Sequence, residues 1–316
     1  MKIFVTGSTG VIGRRVVPAL LAAGHEVTAV ARAPEARARL VRMGVNAIGL
    51  DLFDPGAVRR AVAGHEVVVN LATHIPSPGR MLLPFAWREN DRLRREASAN
   101  LCEAALAGGA SRFVQESFAP IYESAGDAWV AERSRIRPVR YNRSVLDAER
   151  AAARFASLGG AGVVLRFAGF YGSDASHLRP LVAAARRGFA ALPGAGDAFI
   201  SSVSHDDAAS AVVAALRVPP GVYNVADDEP VRRREYFDLL AAALGVPPPR
   251  LPPPWARHLF GSLGELLGRS VRISNWKLRE TAGWAPRYPS VREGWPATIA
   301  ALRDEAAAPP ELQAAP

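Results

Sequence analysis

The 316-residue sequence predicts an α/β fold: a Rossmann-type doubly wound parallel sheet followed by a smaller, mostly helical C-terminal substrate lobe. Three observations carry that expectation. Short β-branched runs alternate with amphipathic stretches through the first half. Those runs are nearly all apolar, as in strands covered by helices on both faces. A glycine triad fills the first strand-to-helix turn.

Ile3–Thr6 reads as the first strand, and Val11–Ala23 as a helix closed by Gly24. Val27–Ala31 gives a second strand, Glu35–Met43 a helix and Val45–Leu50 a third strand. Pro55–Ala63 is a helix and Val67–Asn70 the fourth strand. Arg92–Ala107 is a longer helix stopped by Gly108-Gly109, followed by a strand at Arg112–Gln115. Tyr141–Leu158 is another helix and Gly162–Arg166 the next strand. Strands separated by helices imply right-handed crossovers and a parallel sheet. Residues 1–165 are thus the expected dinucleotide-binding domain and 166–316 the substrate lobe, with 199–226 returning to the sheet. Beyond Arg166 glycine and proline become frequent, Pro247–Pro254 is proline-dense, and amphipathic stretches recur at Arg234–Leu244 and His258–Leu267. The alanine- and proline-rich tail 304–316 reads as frayed.

Hydrophobic residues make up 49% and charged residues 22%, which excludes a disordered chain, a fibre and a disulfide-stapled miniprotein. The single cysteine, Cys102, forms no internal bridge and builds no thiolate metal site alone; it reads as inert packing, and no metal site is expected. The net charge of +9 comes almost wholly from arginine, since Lys2 and Lys277 are the only lysines. No basic run is interleaved with aromatic residues, so nucleic acid is not an expected partner. The N-terminus enters a strand directly and no uncharged apolar run approaches a membrane span, so a cytoplasmic protein without membrane contact is expected.

The loop Gly7, Ser8, Thr9, Gly10, Val11, Ile12 and Gly13 lies where a dinucleotide cradle must lie. Gly7 takes the tight turn, Gly10 lets the backbone approach a pyrophosphate, and Gly13 permits close helix–strand packing; the helix N-terminus offers free N–H groups to the anion. The end of the second strand separates the two dinucleotides. A carboxylate there would accept the ribose 2′-hydroxyl, whereas this chain has Arg32 and no acid until Glu35. Arg32, with Ser8 or Arg14 as helpers, favours NADP(H) over NAD(H); the competing reading makes Arg32 a solvated surface residue.

At this point the chain resembles the extended short-chain dehydrogenase/reductase superfamily, the branch of nucleotide-sugar epimerases, dehydratases and related reductases. Thr6–Gly13 resembles its TGxxGxxG loop, and the likeness runs over nearly the whole length. It implies that Asp51 and Leu52 approach the adenine, and that Leu71, Ala72 and Thr73 pass beneath a cofactor ribose. Leu165–Gly172, with Phe167 and Ala168, leads to the nicotinamide edge. Val203–Ala209, Gly221–Val225 and Gly283–Pro286 are similar to further landmarks. The resemblance also implies a homodimer through Arg92–Ala107 and Tyr141–Leu158.

The family's chemistry rests on a Ser or Thr, a Tyr, a Lys four residues after it, and often an Asn. Tyr141 fits the tyrosine, but Val145 stands at the lysine position. Aligning Tyr122 with the family puts Phe118 in the hydroxyl slot, with Ser117 one residue early. Arg94 lies nearest the asparagine's place, with Asn90 one turn before it. A free tyrosine has a pKa near 10, so only about one part in a thousand is phenolate at pH 7, and lowering that pKa by ~3 units takes about 4 kcal/mol. Oxidising an alcohol needs that phenolate, while reducing a carbonyl or imine needs only a neutral proton donor.

The leading expectation is therefore an NADPH-dependent reductase of a small or medium organic carbonyl or imine. Tyr141 would be its proton donor, with Ser117 or a neighbour polarising the substrate. His74 and Glu116 follow the fourth strand and end the fifth at the sheet edge where ligands sit, and are further catalytic candidates; Tyr171 and His177 are candidates to line the cleft. His205 reads as a helix-start group, and Trp255, Trp276 and Trp284 as a small core of the second lobe. Two other classes fit the same residues. One is a non-redox isomerase, cyclase or lyase in which His74, Glu116 or Tyr141 moves protons around a structural dinucleotide. The other is a catalytically silent NADP(H)-binding sensor or partner protein.

Overall fold

The computed structural model describes residues 1–307. Seven parallel strands form the central sheet: β1 (Lys2–Thr6), β2 (Glu26–Val30), β3 (Asn46–Ile48), β4 (Val67–Asn70), β5 (Arg112–Phe118), β6 (Ala161–Phe167) and β7 (Gly221–Val225). Their spatial order is β7-β6-β5-β4-β1-β2-β3. The chain runs outward from β1 to β3 and then returns to β4, so the winding reverses between β1 and β4. The crevice outside the carboxyl ends of those two strands is where this architecture takes a ligand.

Strand alternation feeds two cores. Ile3, Val5, Val67 and Val69 face one side, packing with Val16, Val17 and Leu20 of the helix Gly13–Ala22 and with Ala208 and Val212 of the helix His205–Ala214. Phe4, Val68 and Phe113 face the other, under Val58, Leu101, Cys102 and Phe155. Cys102 is buried, its Sγ lies 3.1 Å from the Ala151 carbonyl, and burial pushes its thiol up to about 11. A third core joins Tyr171, Leu181, Phe237, Leu240, Trp295 and Ile299, holding together the helices Leu178–Arg186, Arg233–Leu244 and Val291–Ala307.

Several elements differ from the sequence expectation. The segment read as one helix over 92–107 is an α-helical turn at Arg88–Arg92, a π-helical turn at Leu93–Ala97 and a helix at Ser98–Ala107. Apolar periodicity cannot register one inserted residue within a helix. Tyr141 sits on a 3₁₀ turn, Arg140–Asn142, and the helix begins only at Val145. β5 continues to Phe118, through the polar Glu116 and Ser117. Of the segment 199–226, Gly221–Val225 joins the seven-stranded sheet, whereas Ser202–Ser204 pairs with Gly169–Tyr171 and Phe199–Ile200 with Val231–Arg232. Trp255 and Trp276 are each 63% exposed and so form no core, while Trp284 is buried in the main one. Residues 304–307 of the expected frayed tail complete a helix, and 308–316 lie outside the described residues. Among the described residues no helix is long and apolar enough to cross a membrane.

Candidate functional site

The crevice is held open by Asn70 at the end of β4. Its Oδ1 accepts from Thr6 Oγ1 at 2.6 Å and from the Ala72 N–H at 3.2 Å, and its Nδ2 donates to Ser98 Oγ at 3.1 Å and Gln115 Oε1 at 2.9 Å. One buried amide thus fixes the ends of β1, β4 and β5 relative to each other. The glycine loop passes over this knot. Gly7 has φ +67°, and a Cβ there would run into the Leu71 carbonyl; a Cβ on Gly13 would run into the Gly7 carbonyl. At exposed Gly10 the only near atom is the Gly7 oxygen at 3.3 Å, so this part of the loop opens outward.

That cradle fits the pyrophosphate of a nicotinamide dinucleotide: backbone without side chains at the points of closest approach, and a ten-residue helix beginning at Gly13. Ser8 is buried, and its hydroxyl donates to the Val30 carbonyl at 2.7 Å, locking the loop to β2. Thr9 is exposed, Val11 half-buried and Ile12 buried. Arg32 is 78% exposed, with Glu89 3.3 Å away. Arg14 pairs with Asp174, which also takes Arg15 at 2.6 Å and His205 Nδ1 at 2.6 Å. Asp51 is exposed and accepts the Phe53 N–H at 2.9 Å, and the Leu52 carbonyl takes Asn100 Nδ2 at 2.9 Å. Leu71 is buried, Ala72 half-buried and Thr73 exposed. Phe167 and Ala168 are buried, with the Ala168 N–H on the Val225 carbonyl at 2.9 Å.

Beyond the crevice the Tyr141 ring lies against the Trp87 ring, centroids 4.8 Å apart at 49°. Burial pushes its phenol above the ordinary range, against the pull of the Arg269 and Arg94 charges. Val145 is buried. At the end of β5, Glu116 lies 3.7 Å from Arg94. Burial raises the Glu116 carboxyl and the Glu149 charge adds to this, with Arg94 opposing both. His74 is exposed, and its backbone N–H donates to Asn90 Oδ1 at 2.9 Å.

Ser117 belongs to a neighbouring network that sequence reasoning did not assemble. Its hydroxyl donates to Glu149 at 2.5 Å; Arg166 donates to the same carboxylate at 2.8 and 2.7 Å and to Tyr122 Oη at 2.9 Å; Tyr122 donates to Asn224 at 2.7 Å. A charged residue inside the otherwise apolar Ala161–Phe167 was the available signal. Tyr171 does not line the cleft: it is enclosed against Trp295, ring centroids 5.5 Å apart. His177 immediately precedes the helix Leu178–Arg186 without a side-chain capping bond and is half-buried, and burial lowers its imidazole. Among the described residues no group of three or more His, Cys, Asp or Glu is placed to hold a metal.

The sequence profile of the NAD dependent epimerase/dehydratase family matches residues 3–226. A 3-diazoavenalumate denitrifying reductase from a Streptomyces species is 36% identical over 93% of this chain and 99% of its own length. A 2-alkyl-3-oxoalkanoate reductase from Stenotrophomonas maltophilia is 30% identical over 78% of this chain and 77% of its own. Among solved structures, UDP-glucose 4-epimerase from Thermus thermophilus complexed with NAD is similar at a TM-score of 0.76 and 26% identity, covering 96% of this chain and 99% of that one. A human epimerase family protein with NADPH shares the fold at a TM-score of 0.78 and 21% identity, over 95% of this chain and 99% of that one. With the glycine cradle, the strand order and these likenesses together, the chain belongs to the NAD dependent epimerase/dehydratase family.

Proposed function

We propose that this protein is an NADPH-dependent reductase of a small or medium organic carbonyl or imine. The observation that carries the reading is Tyr141. Its phenol is held neutral by burial, it is walled by Trp87, and Val145 stands where the resemblance expects a lysine. Such a group stays protonated and so remains available as a donor, while the phenolate that alcohol oxidation would need is scarce, which suits reduction. When bound, the reduced nicotinamide supplies the hydride. Tyr141 donates the proton to the oxygen or nitrogen that receives the charge. Glu116, whose carboxyl burial shifts toward the uncharged form, polarises the same atom, because the Ser117 hydroxyl stays with Glu149. His74, exposed just beyond β4, is assigned to the substrate side. Arg32 reaches for the 2′-phosphate and sets the preference for NADPH. The reductases among the relatives support this direction of reaction.

The test is loss of absorbance at the reduced-nicotinamide band with a panel of carbonyls and imines. Consumption that Tyr141→Phe abolishes supports the reading; NADPH binding with no consumption across the panel refutes it.

A second reading is favoured by the Streptomyces relative and by the missing lysine. Replacing a diazonium group by hydride forms one C–H bond, releases dinitrogen and requires no proton donor. Under this reading Tyr141 is only a wall. NADPH-dependent conversion of an aryldiazonium salt to the arene and dinitrogen that is insensitive to Tyr141→Phe separates it from the first.

A further inference from the structure

Four buried polar atoms without a hydrogen-bond partner lie on the chain segments that meet at Tyr141: Asn90 Nδ2, Arg94 Nε, Glu116 Oε2 and Asn142 Nδ2. The Trp87 ring lies tilted against Tyr141, Ser144 donates to Asp91 at 2.6 Å, and Arg94 stands 3.7 Å from Glu116, so residues 87–94 run alongside 141–145 and the end of β5. Leaving a buried donor or acceptor unpaired costs its full desolvation. A folded chain keeps such a cluster where a ligand or water completes it.

Arg94 is the charged member, with its side chain 4% exposed. Its inward direction comes from the π turn Leu93–Ala97, where the extra residue buries Leu93, Arg94 and Ala97 together; such turns recur at functional sites. Glu116 does not saturate it. The 3.7 Å separation exceeds a hydrogen bond, and burial favours the uncharged carboxyl. Glu149, the other nearby carboxylate, is already taken by Arg166 and Ser117. The subsite therefore combines a guanidinium with open donor capacity, the unpartnered amide of Asn90 on the same run of chain and that of Asn142 beside Tyr141, and the ring of Trp87.

We propose that Arg94 anchors the carboxylate of the substrate, so that the substrates are organic-acid anions. The role as substrate rests on the reductase reading, and the anion site itself on the burial and geometry of Arg94 and its neighbours. A guanidinium offers a carboxylate two parallel N–H donors, which a neutral amide cannot use in the same way.

Calorimetry on the full-length protein saturated with NADP⁺ decides the matter without turnover, using cinnamate and cinnamamide as probes. The expected result is that cinnamate binds about tenfold or more tighter than cinnamamide. Arg94→Met should abolish that preference, and Arg94→Lys should retain part of it, with NADP⁺ affinity unchanged in both. Equal affinity of acid and amide for the wild type overturns the proposal, as does binding of neither. A preference that survives Arg94→Met overturns it too. If cinnamate binds as expected while no carbonyl or imine consumes NADPH, the anion site stands and the reductase reading falls. If NADPH is consumed but the acid holds no advantage, the reverse is true.

Discussion

Arg166 grips Glu149 with two N–H donors, at 2.8 and 2.7 Å, in the interior between β6 and the helix Val145–Ser157. Both side chains are almost wholly enclosed, and Ser117 and Tyr122 complete their hydrogen bonds. Removing one partner strands a buried charge, which typically costs about 3–5 kcal/mol. Arg166→Met is therefore expected to lower unfolding free energy by about that amount in urea titration. A loss below about 1 kcal/mol would mean that the pair is solvated.

The glycine cradle predicts a cofactor defect of steric origin. Gly13→Ala places a methyl group against the Gly7 carbonyl, so the turn and the helix start must separate. NADPH affinity is expected to fall by at least about tenfold, with a stability loss of about 1–3 kcal/mol from overpacking. Fluorescence titration and urea unfolding read the two effects independently.

Exposed Arg32 predicts a change of cofactor preference. Arg32→Asp replaces a cation with a group that accepts a ribose hydroxyl and repels a phosphate. The ratio of kcat/KM for NADPH over NADH should drop by about tenfold to a hundredfold. An unchanged ratio would return Arg32 to the solvated surface.

Tyr141 predicts both a rate and a pH profile. Its phenol is pushed above its ordinary value of 10.0, so the protonated donor persists across the neutral and mildly alkaline range. Reduction should show no alkaline loss attributable to this group below pH 9, about a unit under the ordinary tyrosine value. Tyr141→Phe should lower kcat by about a hundredfold or more. A phenylalanine variant with wild-type kcat on carbonyls would assign protonation elsewhere.

His205 predicts how stability responds to acid. Burial, with Arg15 and Arg14 nearby, lowers its imidazole from 6.5 to about 3, even though Asp174 touches Nδ1; that carboxylate is shared with both arginines. The unfolded chain therefore binds a proton that the folded chain refuses. The contribution is complete above pH 6.5 and is lost as pH falls toward 3, with a slope of at most about 1.4 kcal/mol per pH unit. His205→Asn should flatten the wild-type curve within that window, measured by urea unfolding at a series of pH values.

Local chemistry made the sheet and cradle legible in the sequence. A steric demand for missing side chains writes itself as Gly7 and Gly13, and two-sided burial writes itself as the run Val67–Val69. Tyr141 and Glu116 enter as candidates, the first through its likeness to the family's tyrosine despite Val145 at the lysine position, the second because a carboxylate is unusual at a strand end. The Glu149–Arg166 pairing was not legible, since its members are 17 residues apart and each alone looks like an ordinary charge in an arginine-rich chain. Nor was the exposure of Trp255 and Trp276, because composition says nothing of which aromatic residues a small lobe can enclose.

The π turn at Leu93–Ala97 also makes the wall that carries Trp87 a threaded part. Each residue advances an α-helix by about 100°. Trimming a single residue from that turn would screw everything upstream through about that angle, carrying the Trp87 ring off the Tyr141 ring while the downstream helix stays seated. Under the proposed function, substrate shape in such a chain is thus retuned by changing its length by one, with no change to the sheet.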